Sequence, residues 1–364
     1  MEACNILFKS MKILFIYKYL TLGGVETVLR ARLEALHGMG ISASAWFLGD
    51  YGGRNIFSGL ENDIYIGHDA LSLDDLSAYD VISSVDTEEI IPRLQGLSPS
   101  TRVIFEAHSP YLENLEYLRS RDFRRLNVLR VLVPSQYQKH VVMRFGISGD
   151  RVGVVPNLLG RQFFFGSQEF PLTQKPIILW VGRLDHLKNW KGFLDLVAEL
   201  SSSKIKAVAL MVGTSNNPIQ IASEVFQAIR KRSISGEIRW FSTIPYQVMV
   251  NLYDLVARSQ GVVVSTSRNE SFGLSIAESM SRGCPVVVPS IGSFDDFIVD
   301  TVSGCVYQNG SLRQLKQQVS TLLENDEVRG KISSRGKEVV RELYNPSRIV
   351  KIFIDEIRSV INSD

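Results

Sequence analysis

The stretch GVVVSTSRNESFGLSIAESMSRGCPVVVPS carries two carboxylates, Glu270 and Glu278, eight residues apart. On a single helix they would lie about 12 Å apart along the axis and roughly 80° apart around it, a poor acid–base pair. The run ending at Val264 reads as a strand, and a helix is expected to begin around Phe272–Gly273. Glu270 then sits in the polar loop between them and Glu278 in the second helical turn. The first N–H groups of such a helix, near Phe272, Gly273 and Leu274, lack intrahelical partners and lie at its positive end, so they suit an anion. A carboxylate repels phosphate but accepts two hydrogen bonds from a vicinal diol. Glu270 and Glu278 on either side of the anion would therefore fit a ligand with a diol on each side of a diphosphate, which is the chemistry of a sugar nucleotide. The competing reading is a loop charge and a solvated helix charge. The apolar remainder of the helix (Leu274, Ile276, Ala277, Met280) argues against it for Glu278.

Three further groups follow apolar runs. In KPIILWVGRLDHLKNWKGFLDLVAEL, Arg183 comes directly after a strand and Gly182, with Lys188 and Lys191 in the same loop. Arginine offers a planar fork and lysine a mobile point charge, the equipment for gripping a diphosphate leaving group. Solvated surface charge is the alternative. Gly23-Gly24 open a helix after the first strand, where backbone can approach a phosphate closely; a plain strand-to-helix turn explains them equally well. They do not form G-x-G-x-x-G, so a nicotinamide-dinucleotide fingerprint is missing. His108 ends the run TRVIFEAH and can hydrogen-bond a ligand or be structural. His37, His68, His140 and His186 show no partner pattern and read as structural.

These groups need strands and helices to hold them. Apolar runs at 12–17, 41–47, 81–84, 101–107 and 128–133 read as strands, with helices at 25–39 and 136–145 among them. The pattern resumes with strands at 177–181, 207–212, 238–241 and 261–264. Near-continuous apolar strands alternating with helices are the pattern of parallel sheets covered on both faces. In such sheets ligands bind beyond the carboxyl ends of the strands, where all the groups above fall. The expected architecture is α/β, with two doubly wound, Rossmann-like domains facing across a cleft. The junction is placed in 156–176, with Gly160, Gly166, three successive phenylalanines and Pro171.

The 364 residues also predict two cores, since one core rarely grows past about 250–300 residues. Lys plus Arg is 40 against 38 Asp plus Glu, a net charge of +2. That excludes nucleic-acid binding by bulk charge. Cys4, Cys284 and Cys305 form neither a disulfide framework nor a metal-type spacing, which fits a reducing compartment. No apolar run approaches the ~18 residues of a membrane helix. Met11 directly precedes the first strand, so residues 1–10 read as a non-essential extension. Arg119, Arg121, Arg124, Arg125 and Arg130 cluster in LEYLRSRDFRRLNVLR. A weak contact with anionic lipid or an acidic acceptor is one reading; a solvated helix face with interleaved Glu113, Glu116 and Asp122 is the other.

Glu270-Ser-Phe-Gly-Leu-Ser-Ile-Ala-Glu278, followed by Gly283-Cys-Pro-Val-Val, resembles the E-x7-E signature of the family 4 retaining glycosyltransferases, which have the GT-B fold. The resemblance runs through Gly23-Gly24-Val25-Glu26, His108, Pro134-Ser135, Val155-Pro156-Asn157, Gly182-Arg183-Leu184 with Lys188, and Gly292 to Gly304. It departs at Lys188-Asn-Trp-Lys191-Gly192, where the family often writes Lys-Gly, so Lys191 rivals Lys188.

The resemblance implies an N-terminal acceptor-side domain over 1–165, joined by a C-terminal crossover helix in 346–364. It implies a donor-binding domain over 166–345. The donor would be a UDP- or GDP-sugar, and the acceptor a sugar, lipid-linked glycan or glycoprotein. Glu278 would hold the ribose. Arg183, Lys188 and the backbone from Ser271 to Leu274 would hold the diphosphate, approached by Gly23 and Gly24. Glu270 and His108 would hold the donor sugar. A metal-independent hexosyl transfer with retention is implied, with no cofactor, in the cytoplasm or peripherally on the inner face of the membrane. A sugar-nucleotide epimerase on the same fold, a non-catalytic nucleotide-sugar binder and a glycoside hydrolase are the other readings; the spacing of the two glutamates counts against the last.

Overall fold

The computed structural model describes residues 11–97, 101–126, 128–166, 175–203, 205–215 and 218–361. Cys4, the rest of the 1–10 extension and Pro171 lie outside the described residues. The chain divides into two compact units, Met1–Gly160 with Tyr344–Asp364, and Arg161–Leu343.

The first unit holds a seven-stranded sheet in the order β3-β2-β1-β4-β5-β6-β7. Its strands are β1 (Lys12–Leu20), β2 (Ser42–Asp50), β3 (Ile64–Ile66), β4 (Val81–Val85), β5 (Arg102–Glu106), β6 (Arg130–Val133) and β7 (Val152–Val154). All neighbouring strands are parallel. Burial on both faces explains the apolar strands: every residue of β4 is buried. The Gly24–His37 helix turns Val28, Leu29, Leu33 and Leu36 inward at the 3–4 residue spacing of one helical face. Ser135 caps the Gln136–Met143 helix, accepting from the Gln138 N–H.

The Pro346–Ile361 helix packs back onto this unit. Phe353 stacks on Phe15 with ring centroids 5.7 Å apart, and Glu356 pairs with Arg130 at 2.7 Å. A Cβ on Gly153 of β7 would fall within 2.6–2.7 Å of the Glu356 carboxylate, so the strand needs a glycine where the helix crosses it.

The second unit holds a six-stranded parallel sheet in the order β10-β9-β8-β11-β12-β13. Its strands are β8 (Ile177–Val181), β9 (Val208–Val212), β10 (Ile238–Phe241), β11 (Val262–Val264), β12 (Val286–Pro289) and β13 (Cys305–Tyr307). The first unit's sheet reverses its strand order between β1 and β4, and the second unit's between β8 and β11. Each reversal is a topological switch point, the place where an open α/β sheet binds its ligand.

The unit boundary falls after Gly160, not after Phe165. Phe163 is fully buried against Tyr246 and Tyr253, at ring-centroid distances of 5.6 and 6.0 Å, so burial draws this segment into the second core. At the other end the division falls after Leu343, because Tyr344 is counted with the first unit.

Candidate functional site

In the second unit the loops after β8 and β11 are tied together. Thr266, just past β11, accepts from the Trp180 indole at 2.9 Å and lies 3.0 Å from the Asn189 carbonyl. Arg268 N–H donates to the Leu187 carbonyl at 2.6 Å. Leu187–Asn189 is thereby fixed against the β11 loop, and Lys188 turns toward Glu270. The Lys188 ammonium donates to Glu270 Oε1 at 2.6 Å, and Ser267 Oγ donates to the same oxygen at 2.7 Å. Glu270 is 7% exposed.

The helix after this loop runs Leu274–Ser281, with Gly273 as its N-cap in the left-handed conformation, φ +92°. A Cβ there would lie 2.4 Å from the fully buried Phe294 ring, so only glycine fits. Phe272 stacks on Phe297, which meets Phe294 edge-on, so an aromatic cluster supports the turn from below. No side chain caps this helix. Its first N–H groups are the kind that a diphosphate can satisfy.

Glu278 lies in the second turn and is 4% exposed. Tyr253 Oη donates to its Oε2 at 3.1 Å. Burial pushes its carboxyl up to about 8, although hydrogen bonds from Tyr253 and Tyr246 favour the ionised form. One helical turn on, Arg282 makes a buried fork with Asp254 at 2.8 and 2.9 Å and donates to the Phe163 carbonyl at 3.3 Å.

Arg183 reaches the surface, its side chain about half exposed and its Nε 3.4 Å from Asp185. Lys191 takes another direction. It lies over the Trp190 ring and 3.8 Å from Glu224. There it lines a cavity of about 450 Å³ with Leu184, Trp190, Glu224 and Arg268. The structure thus joins Lys188, and not Lys191, to the Glu270 loop. His186, read from sequence as structural, lines the same cavity.

In the first unit, His108 follows β5 and is buried. Its Nε2 lies 2.8 Å from Glu106 Oε2, and its backbone N–H donates to both oxygens of Asp86, at 3.1 and 3.2 Å. Arg32 Nη1 donates to both oxygens of Glu106 at 2.6 Å, and Ser83 Oγ donates at 2.7 Å. Burial raises the Glu106 carboxyl, but Arg32 and His108 outweigh it and hold the group well below the usual range. Burial pushes the Asp86 carboxyl up to about 6.

Gly23 caps the Gly24–His37 helix, which starts one residue before the expected Val25. The buried Glu26 carboxylate folds back over this start, accepting from the Thr21 N–H at 2.6 Å and from the Thr21 hydroxyl. A Cβ on Gly23 would meet that carboxylate at 2.6 Å, so the packing of Glu26 accounts for this glycine within the unit.

The arginine cluster does not form one helix face. Arg119 pairs with Glu116 and lies over the Phe145 ring, and Arg130 pairs with Glu356, while Arg121, Arg124 and Arg125 are exposed. The cluster spans a 3-10 helix (Leu112–Arg119), a short helix (Arg121–Arg125) and β6, which is why no single face carries it. Cys284 and Cys305 are free and buried. Among the described residues, no helix is long and apolar enough to cross a membrane.

Sequence reasoning missed Ser267, Tyr253, Arg32, Glu106 and Asp86. The signal was present for Glu106 and Arg32, each a charge in an otherwise apolar register. It was absent for the other three.

Two switch-point sheets, with the loop chemistry above, define a GT-B α/β protein. Solved structures share the fold: Anabaena Alr3699/HepE in complex with UDP-glucose matches 96% of this chain and 100% of its own at a TM-score of 0.82 and 17% identity. Residues 163–339, just under half of the chain, match the family model described as Glycosyl transferases group 1. Among curated relatives, sucrose synthase 1 of Oryza sativa subsp. japonica is 29% identical over 182 residues, 47% of this chain and 22% of that protein. Sucrose synthase 2 of Tulipa gesneriana is 31% identical over 153 residues, 39% of this chain and 18% of that protein. The chain therefore matches about a fifth of the length of these relatives.

Proposed function

We propose that this protein is a retaining glycosyltransferase that moves a hexose-type sugar from a nucleoside-diphosphate sugar to an acceptor hydroxyl, in the synthesis of cell-surface glycans, glycolipids or glycoconjugates. The observation that carries the reading is the Lys188–Glu270–Ser267 cluster at the β8/β11 switch point, with Glu278 buried eight residues on. The complex of Anabaena Alr3699/HepE with UDP-glucose supports a UDP-sugar donor; a GDP-sugar is the other candidate.

The second unit binds the donor. Arg183, Lys188 and the backbone N–H groups from Ser271 to Leu274 receive the diphosphate, and Glu278 receives the ribose diol. Glu270 accepts from sugar hydroxyls. As the bond from the anomeric carbon to the diphosphate oxygen breaks, the acceptor oxygen bonds to that carbon on the same face. The acceptor proton passes to the departing phosphate. Arg183 and Lys188 neutralise the developing charge, so neither metal nor cofactor is required. The acceptor is a sugar, a lipid-linked glycan or a glycoprotein. On this reading the protein works in the cytoplasm, and Arg121, Arg124 and Arg125 make a weak contact with an anionic membrane face, which vesicle flotation at low salt tests.

Turnover of UDP- and GDP-hexoses with and without a pool of candidate acceptors tests the reading. Acceptor-dependent release of free nucleoside diphosphate supports it. Interconverted sugar nucleotide with no free diphosphate would show an epimerase instead.

A further inference from the structure

The cavity of about 450 Å³ in the second unit has no part in the reaction as set out above. None of the groups given to the donor lines it. Its walls come from the loops after β8, β9 and β11 and from the starts of the Trp190–Ser202 and Pro218–Lys231 helices. Backbone bonds fix this frame: Leu184 N–H donates to the Thr214 carbonyl at 2.8 Å, and Arg268 N–H to the Leu187 carbonyl at 2.6 Å. The volume lies in the range of small-molecule sites.

The lining is divided by chemistry. Leu184, Trp190 and Ile221 are buried and make an apolar wall. Lys191 and Arg268 come from different elements, are exposed, and line the same space. The Arg268 guanidinium has no hydrogen bond or ion pair among the described residues. The Trp190–Ser202 helix begins on this wall with no side chain capping it, so its first N–H groups add positive potential. Two carboxylates also line the cavity. Asp185 is engaged by its own loop, accepting the Lys188 N–H at 2.8 Å and lying 3.4 Å from Arg183 Nε. Glu224 holds Lys191 only at 3.8 Å, the outer limit of an ion pair.

An anion with several oxygens suits the two cations, since arginine grips two oxygens in its fork and lysine adds a point charge. Glu224 repels a bare anion but accepts from hydroxyls, two at once from a diol. The apolar wall suits the C–H face of a sugar ring. One ligand class meets all three conditions.

We propose that this cavity is a second ligand site, separate from the sugar-nucleotide groups, and that it takes a small polyhydroxylated phosphate ester of the hexose phosphate type. Arg268 and Lys191 receive the phosphate, Glu224 the hydroxyls, and Trp190 with Ile221 the apolar face.

Isothermal titration calorimetry on the full chain tests this with glucose 6-phosphate, glucose and inorganic phosphate. The expected result is single-site binding of the ester and none of glucose at the same concentrations. Inorganic phosphate should bind about tenfold more weakly than the ester, because it lacks the hydroxyl contacts. Arg268→Gln should weaken the ester about 10- to 100-fold, the loss of one charge-assisted hydrogen bond. Glu224→Ala should bring the ester and inorganic phosphate within about threefold of each other, since it removes the hydroxyl acceptor and the repulsion together. Lys188→Met, which alters the loop assigned to the donor diphosphate, should bind the ester as wild type does. No binding of the ester to wild type overturns the proposal, as does glucose or inorganic phosphate binding equally tightly. Equal ester binding in Arg268→Gln and wild type overturns it too. Loss of ester binding in Lys188→Met places the phosphate at the diphosphate loop and likewise overturns it. All of these are binding measurements, so they stand whether or not the protein turns over a sugar nucleotide. The wild-type series still decides should a variant fail to fold.

Discussion

The ammonium of Lys188 and the carboxylate of Glu270, 82 residues apart in sequence, meet at 2.6 Å. The loops after β8 and β11 converge on this contact. Each charge satisfies the other. A diphosphate beside Lys188 would compete for the ammonium and free Glu270 oxygens for sugar hydroxyls.

Replacing Lys188 by Met should therefore lower kcat/KM for the sugar nucleotide by about 10²–10³, the cost of removing one charge-assisted contact to a leaving group. Lys191→Met, whose ammonium lies by Glu224 in the neighbouring cavity, should stay within about twofold of wild type. Steady-state kinetics on both variants checks this. The assignment fails if the two exchange behaviour.

Ser267 donates to Glu270 Oε1 from within a buried loop, and Ser265 Oγ lies 3.2 Å behind it. A hydrogen bond to a charged group contributes about 1.5–3 kcal/mol. Ser267→Ala should reduce kcat/KM about 10- to 100-fold, and Ser267→Thr should restore most of it. An alanine variant with wild-type kinetics would remove Ser267 from the account.

The pH dependence of stability has a calculable sign. Glu278 is raised from 4.5 to about 8, so between those values the folded chain holds a proton that the unfolded chain has lost. Stability from this group is present below 4.5 and falls as pH rises toward 8, then levels off. Asp86 acts in the same direction over a lower window, from 3.8 to about 6. Glu278→Gln should consequently flatten the decline of Tm from about pH 4.5 to pH 8, leaving only the Asp86 contribution, which ends near pH 6. Parallel Tm profiles for variant and wild type above pH 6 would show that Glu278 is ionised in the folded protein.

Arg282 and Asp254 form a buried pair with side-chain exposures of 6% and 7%. Removing one partner strands the other charge, at a cost of about 3–5 kcal/mol. Arg282→Met should show this loss in urea unfolding, and Arg282→Met with Asp254→Leu should recover much of it. Equal losses in the single and double variants would mean that the contacts of Arg282 to the Phe163, Phe165 and Gly166 carbonyls dominate instead.

Much of this was legible in the residues themselves. Apolar runs bounded by turn residues marked nine of the strands, because parallel strands covered on both faces leave no room for alternation. β3, β7, β12 and β13 escaped, as runs of three or four residues carry little periodic signal. Glu270 and Glu278 could be placed on a loop and a helix from their neighbours alone. That Lys188 belongs with Glu270, and Lys191 with Glu224, could not be read, since two tertiary ties, Thr266 to Asn189 and Arg268 to Leu187, decide it. The surroundings of His108 were hidden for the same reason. Arg32 comes from the Gly24–His37 helix, and Ser83 and Asp86 from β4 and the residue after it; only the strand order β1-β4-β5 brings them to Glu106 and His108.

The central claim is that the β8/β11 switch point receives a nucleoside-diphosphate sugar through Glu278 and its neighbours. A thermal-shift series across UDP- and GDP-sugars, on wild type and Glu278→Ala, tests it most directly. A ligand at 100 times its Kd stabilises by about 2.7 kcal/mol, a rise of several degrees for a domain of this size. The account predicts that rise in wild type for one nucleotide series and its loss in Glu278→Ala. An equal rise in both proteins, or none in wild type with any sugar nucleotide, would contradict it.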